Sequence, residues 1–168
     1  MVFRRRHEEQ AGQRFQMQER MISIGDDYWI VDDRGERVFK VDGKAARLRD
    51  TWVLEDFRGE EVAKIKERKL TIRDTIKIEL AGREATVKKA LIGFRDRFHV
   101  EVSGGPDLTV KGNIVDHEYE VERDGDTIAE VSKKWLRVLD TYGVEVRQPA
   151  DVVLVLAVTV AVDALAHD

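Results

Sequence analysis

The stretch that decides the fold is residues 151–163, DVVLVLAVTVAVD, whose apolar run is interrupted in polarity only by Thr159. A bilayer-spanning helix needs about 17 to 25 apolar residues, so this run is too short to cross a membrane. A buried strand is compatible with the valine-rich composition, but the length favours a helix. With Asp151 as its N-cap, a helix over residues 151–166 would be about 24 Å long. Because it is apolar on nearly every side, other elements must surround it.

Short alternating strands make up most of the remaining sequence. Residues 76–80, IKIEL, and 98–102, FHVEV, place apolar and charged side chains at alternate positions. Such a period of two is typical of antiparallel strands with one buried face. About twelve runs follow at the spacing of a sandwich or barrel. The predicted strands are residues 15–21, 28–32, 38–41, 52–55, 62–66, 76–80, 83–88, 98–102, 108–111, 119–122, 128–131 and 138–146.

The strands and the helix together predict a mainly β fold. A closed sheet of about eight strands fills its interior with side chains, whereas a wider barrel leaves room for another element. We therefore expect an antiparallel closed barrel of about twelve strands that encloses the hydrophobic C-terminal helix at about 151–166. Gly35, Gly59 and Gly125 stand where hairpin turns need a positive φ. Residues 1–13 are expected to form a flexible N-terminal segment, and residues 14–168 a single barrel domain.

Composition excludes several classes of protein. The 168 residues are 42% hydrophobic and 37% charged, with both signs interspersed, which argues against a disordered chain. The absence of cysteine excludes disulfides, thiolate-bound zinc and a cysteine nucleophile. The N-terminal region carries Arg4, Arg5 and Arg6 without the apolar run of a secretory signal. We expect a cytoplasmic location, with peripheral membrane association if a lipid is bound.

The order of these segments resembles the LURP-one-related family over about residues 15–166. The motifs that carry the resemblance are Asp-x-x-Gly at 32–35 and 56–59, AEVSKK at 129–134, DTY at 140–142, and the terminal segment 151–163. That family is structurally similar to the C-terminal domains of Tubby proteins and to phospholipid scramblases. The resemblance implies a twelve-stranded barrel threaded by its C-terminal helix, and no agreed enzymatic activity. Lipid or phosphoinositide binding is implied only through the more distant Tubby and scramblase similarity.

No motif in the sequence indicates an enzyme. The common signatures of phosphate-binding loops, dinucleotide sites, hydrolase elbows and zinc proteases are missing from the sequence. His7, His99, His117 and His167 lack the spacing of metal ligands, and His99 is expected at a solvent-facing strand position. Acidic residues at every second position of 116–126 would form a linear row, which does not converge on one ion. We therefore predict no catalytic residue, no metal and no cofactor.

An uneven charge distribution gives the one candidate site. Residues 62–97 contain eleven Lys and Arg against five Asp and Glu, a net charge of +6, which leaves −10 for the rest of a chain of net charge −4. This basic sector could bind anionic phospholipid headgroups, since each basic residue near an anionic membrane contributes about 1 kcal/mol. The candidate residues are Lys64, Lys66, Arg68, Lys88, Lys89, Arg95 and Arg97. The alternatives are an ordinary charged exterior balanced across strands, and a protein-interaction or scaffold barrel; nucleic acid is disfavoured as a partner.

Tryptophan side chains can mark a membrane-facing rim, and the sequence contains three. Trp29 and Trp52 lie inside apolar runs, so both are predicted to be core residues. Trp135 follows two lysines and is the better candidate for exposure. For Trp135, however, a plug at the end of the barrel, over the helix, is favoured over exposure, because large aromatic side chains are highly buried on average.

Overall fold

The twelve strands close into one antiparallel barrel around a single helix. The structure is a computed structural model, and it describes residues 12–18, 27–43, 51–68, 75–90, 96–136, 140–147 and 150–166. Strands follow one another around the barrel in chain order, and the first pairs with the last. The predicted fold class is confirmed. The predicted flexible segment 1–13 lies outside the described residues up to position 11.

The observed elements agree with the predicted ones to within a few residues. The strands are β1 Gln13–Gln18, β2 Tyr28–Asp32, β3 Arg37–Asp42, β4 Thr51–Asp56, β5 Glu61–Arg68, β6 Thr75–Leu80, β7 Arg83–Lys89, β8 Asp96–Val102, β9 Leu108–Asn113, β10 Glu118–Arg123, β11 Asp126–Ser132 and β12 Thr141–Val146. The helix α1 is Val152–Ala166. Residues 19–21 and 138–139 of two predicted strands lie outside the described residues.

Period-two patterning determines which face of each strand is buried. In β6, Ile76 and Ile78 are fully buried, whereas Lys77 between them is half-buried on the outer face. Cross-strand pairing keeps apolar residues together, as where Ile65 of β5 lies opposite Ile78. A shift of one residue would move the whole apolar set into solvent, so the pattern fixes the register.

Helix α1 fills the interior of this barrel. Its residues from Leu154 to Leu165 are all buried, and it packs against β5, β6, β7 and β12. Asp151 caps its first turn, since the side-chain carboxylate accepts the Leu154 N–H at 3.2 Å. The same carboxylate pairs with Arg83 at the start of β7. Within the described ranges, no helix combines the length and the hydropathy of a membrane span.

Two ends of the barrel are distinguished by their connections. At the hairpin end, short turns join β2 to β3 and β4 to β5, and α1 begins at Val152. In both turns an aspartate accepts backbone N–H groups through Oδ1, as Asp32 does from Arg34 and Glu36 at 2.9 Å each. Gly35 has a φ of 77°, which confirms the predicted turn. At the opposite end, here called the far end, β9 leads to β10 and β11 leads to β12.

One of the predicted core residues is not in the core. Trp52 is buried, as predicted, but Trp29 is half-buried on the outer face of β2. The guanidinium of Arg37 lies 5.2 Å from the centre of the Trp29 ring, and the Lys40 ammonium lies 6.0 Å from it. The prediction for Trp29 was wrong because Tyr28 and Ile30, its neighbours in the strand, take the inward positions.

Candidate functional site

Three lysines of the predicted basic sector form ion pairs with acidic neighbours. Each lies on the outer face of the barrel and is between about one third and one half exposed. The ion pairs are Lys64–Glu61 at 3.5 Å, Lys66–Glu79 at 3.2 Å and Lys88–Glu101 at 3.2 Å. The hydrogen bond from Lys66 lowers the pKa of Glu79, although partial burial of that carboxyl opposes the shift. These lysines therefore have part of their charge compensated within the barrel wall.

The other four candidate residues differ in their surroundings. Lys89 ends β7 at the far end and is exposed, and Arg97 is exposed on the outer face of β8. Within the part of the chain that the structure describes, neither side chain makes an ion pair. Arg95 and the side chain of Arg68 lie outside the described residues. The five candidates whose side chains are described are thus distributed over β5, β7 and β8.

A groove on the outer face brings Arg97 together with residues from other strands. The groove has a volume of about 520 Å³ and crosses β8 to β11 near the far end. The outward-facing lining residues with charged, hydroxyl or indole groups are Arg97, Lys111, Glu118, Glu120, Glu130, Ser132, Lys134 and Trp135. Lys111 pairs with Glu122 at 2.7 Å. Lys134 also has no ion-pair partner among the described residues. Arg97 and Lys134 are therefore the two basic residues of the groove that make no ion pair there.

One wall of the groove is held by a carboxylate. Oε1 of Glu118 accepts the Ser132 hydroxyl at 3.0 Å and the Lys133 backbone N–H at 3.1 Å. The Ser132 hydroxyl oxygen accepts the Lys134 N–H at 3.1 Å. This chain of hydrogen bonds fixes the backbone that carries Lys134.

Trp135 lies against the outside of the barrel and separates this groove from a second one. A Cβ atom added at Gly143 would lie 2.9 Å from the Trp135 ring, so the indole covers the glycine. The guanidinium of Arg14 lies 5.1 Å from the centre of the same ring, and Arg14 Nε pairs with Glu145 at 2.7 Å. The prediction of a plug over the helix was wrong, because Gly143 alternates with the inward-facing Tyr142 and Val144. The second groove, of about 450 Å³, lies on the Arg14 side.

A polar cluster occupies the interior near the far end. Asp163 of α1 is 1% exposed and His117, in the turn before β10, is 2% exposed. The Tyr142 hydroxyl donates to Asp163 Oδ2 at 2.5 Å, and His117 Nδ1 lies 3.4 Å from Asp163 Oδ1. The rings of His117 and Tyr142 are stacked, with centroids 4.2 Å apart.

All three tyrosines of the chain belong to this cluster. Tyr28 and Tyr119 join Tyr142 on the inner face of the barrel. Burial raises the pKa of each hydroxyl well above its ordinary value, and the negative charge of Asp163 raises it further. Because both effects oppose ionisation, the three tyrosines stay neutral in the folded protein across the physiological range.

Sequence reasoning found part of the groove and missed part of it. Arg97 is one of the candidates that the sequence predicts, and Trp135 is the tryptophan that the sequence favours most for exposure, but the sequence does not distinguish Lys111 or Lys134. Whether a lysine has an ion-pair partner depends on the cross-strand register, which a single sequence does not show. The predicted outward row is confirmed in β10, where Glu118, Glu120 and Glu122 are half-buried and Tyr119 lies inside. Among the described residues, no three acidic or histidine side chains cluster as metal ligands would.

These features define a class of protein: an antiparallel β-barrel filled by a helix, with grooves on its outer face. The chain belongs to the LURP-one-related family, whose profile matches residues 13–163. A protein of Arabidopsis thaliana, solved by X-ray crystallography, has a similar fold, with a TM-score of 0.61 and 15% sequence identity. The similarity covers 95% of each chain. A comparison with curated protein sequences gives no match.

Proposed function

We propose that this barrel is a non-catalytic binding domain that takes an anionic phospholipid headgroup in the groove beside Trp135. The observation that carries the proposal is that Arg97 and Lys134, two cations without ion-pair partners among the described residues, line one groove. A phosphate group is the natural ligand for uncommitted guanidinium and ammonium groups. Membrane association would then be peripheral, on the cytoplasmic side.

The filled interior supports a site on the outside. Helix α1 occupies the space that a wide barrel otherwise offers to a ligand, and its central residues are fully buried. A ligand therefore has to bind to the outer face or the ends of the barrel. The groove at β8–β11 provides enough volume for a headgroup, and Glu118 orders the backbone of one wall.

The expected binding is weak and sensitive to salt. Two basic residues near an anionic membrane contribute together about 2 kcal/mol, and this contribution falls when salt screens the charges. The net charge of −4 opposes a general attraction to an anionic surface. Binding would therefore depend on the orientation of the groove towards the membrane and not on overall charge.

Co-sedimentation with vesicles tests the proposal. The protein should sediment with phosphatidylcholine vesicles containing phosphatidylserine or a phosphoinositide, and not with phosphatidylcholine alone. Arg97→Gln with Lys134→Gln should lower partitioning about thirtyfold, since about 2 kcal/mol is lost. The matched control, Lys64→Gln with Lys66→Gln, removes the same charge from ion-paired positions and should change it much less. Absence of binding to all vesicles at low salt would overturn the proposal, and an effect confined to the control would move the site to β5.

A protein-interaction or scaffold barrel is the second candidate. It is favoured by two exposed apolar side chains, Phe57 in the β4–β5 turn at 65% exposure and Val115 in the β9–β10 turn at 60%. A partner recovered by pull-down should then persist when Lys64, Lys66 and Arg68 are neutralised and be lost on Phe57→Ser or Val115→Ser. Retention of the partner in both serine variants would count against these turns as the contact.

A further inference from the structure

An exposed apolar side chain stands at the edge of the proposed lipid site. Val115, in the turn between β9 and β10, is 60% exposed. Gly112 near the end of β9 and Glu118 at the start of β10 both line the groove, so this turn joins two of the lining residues. Val115 therefore lies at the rim of the groove, at the far end of the barrel.

The turn that carries Val115 is fixed by hydrogen bonds within it. The Asn113 side-chain amide donates to Asp116 Oδ2 at 2.7 Å, and the Asp116 backbone N–H donates to Asn113 Oδ1 at 3.1 Å. The His117 backbone N–H donates to the Ile114 carbonyl at 3.1 Å, and the side chains of Ile114 and His117 are both buried. Because these two residues take the inner positions of the turn, Val115 is held outward.

The two ends of the barrel differ in charge. Successive strands are antiparallel, so the connections after odd-numbered strands lie at the far end and those after even-numbered strands at the hairpin end. Counted in the sequence, the connections after odd-numbered strands have a net charge of +3, and those after even-numbered strands a net charge of −3. An anionic surface therefore attracts the far end and repels the hairpin end, although the whole chain has a net charge of −4.

We propose that the protein approaches an anionic bilayer with the far end of the barrel and inserts Val115 among the lipid headgroups, beside the lipid held in the groove. This inference rests on the proposed lipid binding and adds the orientation and the residue that enters the membrane. Arg97 and Lys134, which make no ion pair among the described residues, contact phosphate groups from the groove. Val115 buries apolar surface at the boundary of headgroups and acyl chains. Phe57 is also exposed, but it lies at the hairpin end and stays in water.

A fluorescent label at each end of the barrel tests this orientation. The chain contains no cysteine, so Val115→Cys and Phe57→Cys each provide a single attachment site. An environment-sensitive label at position 115 should brighten and shift to shorter wavelengths on phosphatidylcholine vesicles that contain phosphatidylserine, and brominated acyl chains should quench it. With phosphatidylcholine alone, its spectrum should stay as in buffer. The label at position 57 is the matched control and should keep its buffer spectrum with both kinds of vesicle.

Unlabelled variants measure the contribution of the Val115 side chain. Val115→Ser should lower partitioning to the vesicles that contain phosphatidylserine about fivefold to tenfold, because the apolar surface that leaves water is lost. This ratio should persist when the salt concentration is raised, since salt screens the charges and not the apolar transfer. Phe57→Ser removes an exposed apolar side chain from the opposite end and should leave partitioning unchanged.

The outcomes separate this inference from the proposed function. If the protein sediments with anionic vesicles while the label at position 115 keeps its buffer spectrum, insertion is wrong and the lipid site is retained. Burial of the label at position 57 instead would reverse the orientation and overturn the inference. A change at position 115 without vesicles, growing with protein concentration, would assign Val115 to a contact between two copies and would also overturn it. Absence of sedimentation with every kind of vesicle overturns both proposals.

Discussion

The hydroxyl of Tyr142 donates a 2.5 Å hydrogen bond to Asp163, and this bond ties strand β12 to helix α1 inside the barrel. β12 also pairs with β1, which closes the sheet. The side chain that anchors the helix therefore projects from the strand that completes the barrel. Closure of the wall and seating of the helix are therefore coupled, because this buried hydrogen bond forms only when β12 and α1 are both in place.

The three buried tyrosines predict a loss of stability in alkali. Their pKa values are raised in the folded protein, first by burial and then by the charge of Asp163, whereas unfolded tyrosines ionise near pH 10. Their contribution to stability is fully present below about pH 10 and is lost as the pH rises through the raised values, by up to about 1.4 kcal/mol per tyrosine and pH unit. Absorbance at 295 nm should show the three ionising together with unfolding.

Tyr119→Phe provides the control for that titration. With one of the three hydroxyls removed, the alkaline slope of stability should fall by about one third, since each tyrosine contributes equally to the proton release. Stepwise ionisation in the folded protein, before any change in circular dichroism, would contradict the burial of these hydroxyls.

A charge in the middle of α1 should prevent folding. Val155 is 1% exposed and Leu156 is fully buried, so Val155→Asp or Leu156→Asp places an unpaired carboxylate in the core, at a cost of at least several kcal/mol. Val152→Asp is the matched control, because Val152 is half-buried in the first turn, where an acidic group is favourable. Circular dichroism and size-exclusion chromatography report the outcome. Unchanged stability of either core variant would show that α1 does not occupy the interior.

Asp151 should contribute to stability through two separable interactions. Asp151→Ala removes both the cap on α1 and the ion pair with Arg83, and we expect a loss of about 1 to 2 kcal/mol. Asp151→Asn keeps a good capping side chain and removes the ion pair alone, so its loss should be below about 1 kcal/mol. Chemical denaturation measures both. Equal losses would mean that the cap contributes little.

Gly112 should tolerate no side chain. Its φ is 136°, and an added Cβ atom would lie 2.7 Å from the Glu118 carbonyl oxygen and 2.8 Å from the Cα of Tyr119. We expect Gly112→Ala to cost about 2 to 5 kcal/mol through backbone strain and overpacking. Gly125→Ala is the comparison, because Gly125 has a φ of 82° with open space around it, and strain alone costs about 1 to 2 kcal/mol. Thermal unfolding of the two variants should rank them in this order.

The sequence was sufficient to predict the barrel because two independent patterns agree. Alternation along segments such as 76–80 requires a sheet with one buried face, and the apolar segment 151–163 requires something around it. The helix provides the core that the strands need, and the strands provide the wall that the helix needs. The error at Trp29 shows the limit of composition: the residue lies in an apolar run, but strand alternation places it outside, where Arg37 and Lys40 cover its ring.

The polar cluster and the groove were beyond sequence reasoning for a common physical reason. Asp163 ends an apolar run and looks like its boundary, but its partner Tyr142 comes from β12 and its partner His117 from the turn before β10. In the same way, Lys66 and Lys134 look alike in the sequence. Pairing between β5 and β6 gives Lys66 a partner in Glu79, whereas Lys134 has no ion-pair partner among the described residues.

The position of α1 after all twelve strands has a consequence for biosynthesis. During translation the strands leave the ribosome before the helix that their inner faces pack against, and β1 has to wait for β12 to close the sheet. The nascent chain therefore carries rows of apolar side chains that have no core until α1 emerges. Productive folding is expected to begin only after synthesis of the helix, and until then the chain is a natural client for chaperones that shield exposed strands.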